Sequence, residues 1–150
     1  MDLLQSLPLQ ILAFILVLST VVTIHEFGHF LAARMCGVKV DRFSIGFGAP
    51  IIAHTDKHGV QWRIGWLPLG GYVRMLDERD GPVPEQQREQ AFGQRPLRQR
   101  AAIVAAGPAA NWLLAILLFA VVAWVGVELP RPVLGTPASG SLAERAGLQA

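Results

Sequence analysis

The chain has 150 residues, of which 52% are apolar and only 16% charged, an apolar-rich and charge-poor balance for a soluble domain. Its net charge of +2 is too small to argue for a nucleic-acid partner, and Cys36, the single cysteine, excludes an internal disulfide. The charges are unevenly placed: residues 3–25 and 101–127 contain no Asp, Glu, Lys or Arg.

The first uncharged stretch exceeds the ~20 residues that cross a bilayer core as a helix, and it predicts a transmembrane helix from about Leu7 to Cys36. Gly37 follows as a C-terminal stop. A cleaved signal peptide would carry a basic start, whereas this one reads "MDLLQSL" and has no Lys or Arg before Arg34. The segment after the helix is rich in glycine and β-formers. Val60, Trp62, Ile64 and Trp66 alternate as in a strand, and "PLGG" at 68–71 predicts a turn before "YVRML". A β-hairpin or small sheet is expected there, with tryptophans suited to a membrane interface. Residues 77–100 read as a polar, proline-bearing loop. A second transmembrane helix is predicted from about Ala101 to Val127, and a polar, turn-rich tail closes the chain.

Eleven of the 13 Lys and Arg residues lie from Arg34 to Arg100. Cytoplasmic loops carry such an excess. The expected topology is therefore multi-pass, with residues ~34–100 cytoplasmic and both ends outside.

"HEFGH" at 25–29 sits near the end of the first span. On a helix His25 and His29 share one face, one turn apart, so two imidazoles can reach one metal ion. Glu26 is rotated by roughly 100° and is placed to act on a water molecule rather than to ligate. This is the pattern of zinc metalloproteases, in which the metal acidifies water and the glutamate shuttles its proton. Ionisable residues within a span are functional candidates by default. His54 and His58 share the four-residue spacing but sit in a turn-like stretch and read as a solvated loop. Counted inward from Arg34 and Arg100, His25 lies ~14 Å and Asn111 ~16 Å from the same membrane edge. Asn111 is therefore placed at the level of the motif, to bond substrate, the active centre or a neighbouring helix. Gly107, Ala109 and Ala110 offer a small-residue packing surface, and Pro108 a kink.

Together "VVTIHEFGHFLAARMCGVKVDRFSIGFG", "LPLGGYVRMLDER" and "QRAAIVAAGPAANWLLAI" resemble the site-2 protease family of intramembrane zinc metalloproteases. The nearest likeness is to the bacterial type that acts in envelope stress signalling. The resemblance implies Zn2+ on His25 and His29, with Glu26 as catalytic acid and base. It implies membrane-associated β structure around Gly46, Gly48, Gly70 and Gly71 that holds substrate beside the site, and a substrate contact from Asn111. It further implies an inner-membrane location and a transmembrane substrate of the anti-sigma-factor type. The fold expected is mainly α-helical: a first transmembrane helix (1–36), a cytoplasmic or membrane-associated hairpin and loop (37–100), a second transmembrane helix (101–127) and the start of a periplasmic PDZ domain (128–150). The family's third zinc ligand is an aspartate in a later helix. Met35 stands where another zinc protease class has its third histidine, and the next glutamate after Glu26 is Glu78. The expectation is that the chain represents the N-terminal part of a longer enzyme and is inactive alone. A non-catalytic membrane module that binds substrate through the hairpin and tail is the competing reading.

Overall fold

The computed structural model describes residues 3–126, 135 and 138–147. Helix α1 spans Leu3–Met35, strands β1 and β2 span Val40–Thr55 and Gln61–Met75, and helix α2 spans Leu97–Val125. Three short 3-10 turns (Glu78–Asp80, Glu85–Gln90, Phe92–Gln94) fill the loop before α2, which starts four residues earlier than Ala101 and so includes Arg98 and Arg100. The PDZ start expected at 128–150 falls about half outside the described residues; within it, α3 (Leu142–Arg145) is a single helical turn.

Both long helices are apolar enough to cross a membrane, and their most hydrophobic windows are unburied by protein. Leu9, Leu12, Phe14 and Leu16 on α1, and Trp112, Leu113, Ile116 and Phe119 on α2, are all exposed. Such contiguous apolar surface is unstable in water and matches a lipid environment. Helix α1 ends as its sequence directs. Gly37 adopts φ 71°, its N–H donates to Arg34 O at 3.0 Å, and Val38 N–H donates to Ala33 O at 2.9 Å. These two bonds form a Schellman motif.

The strands pair antiparallel, from Val40 with Met75 to Thr55 with Gln61. Both also bend, so Arg42–Ile45 has partners on each side. Gly71–Arg74 runs antiparallel to it, while on the other side the partner numbers rise together from Arg42–Gln61 to Ile45–Ile64, a parallel register. Gly46 and Gly48, at φ 80° and 85°, make the bend in β1. The reversal expected at 68–71 falls inside β2: Gln61–Ile64 and Gly71–Arg74 flank Arg42–Ile45 in opposite directions, so the chain turns back between Ile64 and Gly71 without leaving the strand. A Cβ on Gly71 would press on Ser44 O at 2.8 Å, so this glycine also serves close approach. A further reversal, between β1 and β2, occurs at 56–59. There Asp56 Oδ1 accepts from the N–H groups of His58 (2.8 Å) and Val60 (3.0 Å), and Oδ2 accepts from Trp62 Nε1–H at 3.0 Å. His54, expected in a loop, is an exposed residue of β1 paired with Trp62.

The core is small and sits where α1 ends. Ala33, Val38, Val40, Phe43, Val60 and Ile103 are buried. Phe30, Phe43 and Trp62 stack around one another with centroids 4.9 to 5.7 Å apart. This cluster fixes the sheet against the helix. Farther along α1, Ser19 Oγ donates to Pro68 O at 3.4 Å. Ser19 lies ~24 Å along the helix from Met35, so the sheet runs beside α1 well into the length of its apolar span.

Candidate metal centre

One turn of α1 presents His25 and His29 towards α2, both half-buried. Their Nε2 atoms are 3.2 Å apart, with the rings edge to face. Two nitrogens at ~2.0–2.1 Å from a tetrahedral zinc ion stand roughly 3.3–3.4 Å apart. The pair therefore fits two ligands of one ion. Among the described residues no group of three or more His, Cys, Asp or Glu converges as a metal site. The donor set formed here comprises two histidines.

Helix α2 forms the opposite wall. Its residues Ile103, Gly107 and Asn111 recur every fourth position and so share a face. Ile103 O accepts from His29 Nδ1–H at 2.7 Å, and Asn111 Nδ2 lies 3.3 Å from His25 Nδ1. Between them, a Cβ on Gly107 would stand 2.8 Å from His25 Nε2 and closer still to His29 Nε2. It would occupy the space that an ion on both nitrogens requires. Helix contact is equally tight at Gly28, where a Cβ would lie 2.8 Å from Ala110 Cβ and would strike Ala106 O. Glycine on each helix thus sets the separation at which imidazoles of one reach backbone of the other.

Glu26 lines, with His29, a cavity of about 560 Å³ that is also bounded by Tyr72–Met75 of β2, by Phe92 and by Ile103 and Val104 of α2. Among the described residues Tyr72–Met75 pairs with β1 on one side alone, and so offers backbone groups of a strand edge to the cavity. At the rim Arg79 donates to both oxygens of Asp77, and these bonds hold the Asp77 carboxyl below its usual range. Arg42 donates to the Tyr72 hydroxyl and is the main cause that lowers the phenol's pKa.

Residues 13–143 match the model of peptidase family M50. The chain belongs to this family. It is 48% identical over 141 residues to a regulator of sigma-E protease RseP from Salmonella typhimurium, across 94% of this chain and 31% of that protein. It is 51% identical over 134 residues to the Escherichia coli K12 protein of that name (89% and 30%), and 47% identical over 144 residues to protease RseP of Yersinia pestis (96% and 32%). The chain spans about a third of the length of these M50 relatives.

Within this M50 chain the structure brings together His25, His29 and Asn111, with Glu26 alongside. Of the four glycines expected to hold substrate, Gly71 has its Cβ position 3.1 Å from Glu26 Cγ, while those of Gly46, Gly48 and Gly70 lie against Leu67 O, Trp66 and Phe47 respectively. Sequence reading missed Gly107 and the Ile103 carbonyl as parts of the centre. Their four-residue spacing from Asn111 was the available signal.

Proposed function

We propose that the chain carries half of the active site of an intramembrane zinc endopeptidase that cleaves transmembrane segments of other proteins. The observation that carries this reading is the convergence of His25 and His29 Nε2 on a membrane-length helix, with Glu26 in the adjoining cavity. His25 and His29 hold the ion, and a ligand from elsewhere in the full-length enzyme completes it, an aspartate by family resemblance. The chemistry zinc supplies in such a site is polarisation of a carbonyl and acidification of water. Glu26 takes the water proton and returns it to the departing amine. Substrate lies extended along Tyr72–Met75, as strand addition to a free edge requires, and the narrow helix separation keeps lipid from the reacting bond.

The protein resides in the bacterial inner membrane as a multi-pass protein. Residues ~34–100 face the cytoplasm in this reading, which Arg34 at the end of α1 and Arg98 and Arg100 at the start of α2 support. The names of its relatives support an anti-sigma factor as substrate class. The experiment is cleavage of a model transmembrane substrate by the full-length gene product. Glu26→Gln is expected to lower the rate by about 10²–10⁴-fold while zinc content stays at the wild-type level. Undiminished cleavage by the variant would refute Glu26 as the acid and base, and absence of cleavage by the wild type would favour the non-catalytic membrane module.

A further inference from the structure

Each imidazole has its second nitrogen engaged by α2, and with the Asn111 amide in the orientation found these contacts assign one donor to each bond. As oriented, the Asn111 amide presents Nδ2, a donor only, to His25 Nδ1 at 3.3 Å. His25 Nδ1 therefore accepts, and a neutral His25 carries its proton on Nε2. That N–H donates to His29 Nε2 at 3.2 Å. His29 in turn carries its proton on Nδ1 and donates to Ile103 O at 2.7 Å. The result is one continuous chain with one donor in each bond. Asn111 Oδ1 is left buried with no protein partner.

This tautomer of His25 cannot bind a metal through Nε2, which must offer its lone pair. The proton then belongs on Nδ1, and Nδ1–H needs an acceptor where Asn111 Nδ2 stands. Rotating the amide by half a turn supplies it, since Oδ1 and Nδ2 exchange places without change of shape. The rotation exchanges one buried unpaired end for the other, so it carries little net cost.

We infer that Asn111 is a positioning residue whose amide turns over when His25 takes a metal ion, switching the imidazole between its two neutral tautomers. The inference rests on the reading of His25 and His29 as zinc ligands and gives Asn111 a role other than contact with substrate. His29 needs no such partner, because the Ile103 carbonyl already holds its Nδ1–H in the metal-binding form. The asymmetry is chemical: a backbone carbonyl can only accept, whereas an amide can do either.

The test is zinc affinity of the full-length gene product, measured by chelator competition, together with the tautomer of His25 read from ¹⁵N–¹H correlations. In the wild type, added zinc is expected to move the His25 proton from Nε2 to Nδ1. Asn111→Ala is expected to weaken zinc binding about 10–100-fold, the usual effect of removing a partner behind a metal ligand. Asn111→Asp has the same shape and always accepts, so it is expected to bind zinc at least as tightly as the wild type. Wild-type affinity in Asn111→Ala, or equal weakening in both variants, would overturn the inference. If Asn111→Ala does not fold, the Asn111→Asp affinity and the wild-type tautomer still decide. His25→Ala separates the two levels: unchanged zinc affinity there would refute the metal assignment itself.

Discussion

Gly107 contributes to the centre by having no side chain. Its Cβ position is 2.8 Å from His25 Nε2, inside the space a shared ion needs. Gly107→Ala is therefore expected to abolish zinc binding in the full-length gene product while both histidines remain, as measured by metal content after purification. Alanine is otherwise the better helix former by about 1 kcal/mol, so helix content should not fall. Asp56 supports a different prediction. The Trp62 indole N–H, then the backbone N–H groups of Val60 and His58, lower its pKa below 3.8. A folded-state value below the unfolded one gives stability that is complete above about pH 3.8 and is lost as pH falls through the folded value. Asp56→Asn should flatten the pH dependence of hairpin unfolding in that acid range, followed by Trp62 fluorescence. At this scale "HEFGH" was legible because both ligands lie within one helical turn. Asn111 was legible as a polar residue at matching depth, whereas Gly107 looked like packing because its role depends on what faces it.

Helix and sheet meet through a few aromatic contacts. Phe43 is only 2% exposed and touches Phe30 and Trp62 at once. Phe43→Ala is expected to cost about 3–5 kcal/mol, measured by unfolding in detergent, and to free the sheet from α1. Between the helices, Gly28→Ala forces a Cβ against Ala106 O. It should draw Asn111 away from His25 and weaken zinc binding without touching either histidine. The two helices were readable from uncharged length alone. The sheet was readable from alternation, and "PLGG" marked the end of the stretch in which β2 turns back between Ile64 and Gly71. The reversal at Asp56–Gly59, where one carboxylate satisfies three N–H groups, was not read from the sequence. Nor was the doubling back of both strands, because it depends on which segments pair across the sheet.

The molecule as a whole has a small core and two long uncovered apolar helices. Its sheet reaches ~24 Å back along α1, to Ser19. The exposed apolar residues near that end, Phe47, Ile51, Trp66 and Leu69, are therefore expected at the depth of lipid. A variant retaining Trp66 alone among the tryptophans is expected to be quenched strongly by acyl-chain-brominated lipids in vesicles. One retaining only the half-buried Trp62, wedged between Phe30 and Phe43, should be quenched less. Equal quenching would remove the sheet from the membrane.

By itself the sequence determined the two helices and the placement of His25, Glu26 and His29 within one turn of the first. Each depends on spacing along one continuous segment, and a helix converts spacing directly into position. Only the tertiary structure decided that Ile103, Gly107 and Asn111 face that pair of histidines and that Gly71 and a strand edge border Glu26. Those relations join residues 45 to 86 positions apart, and they are set by how closely two backbones can approach.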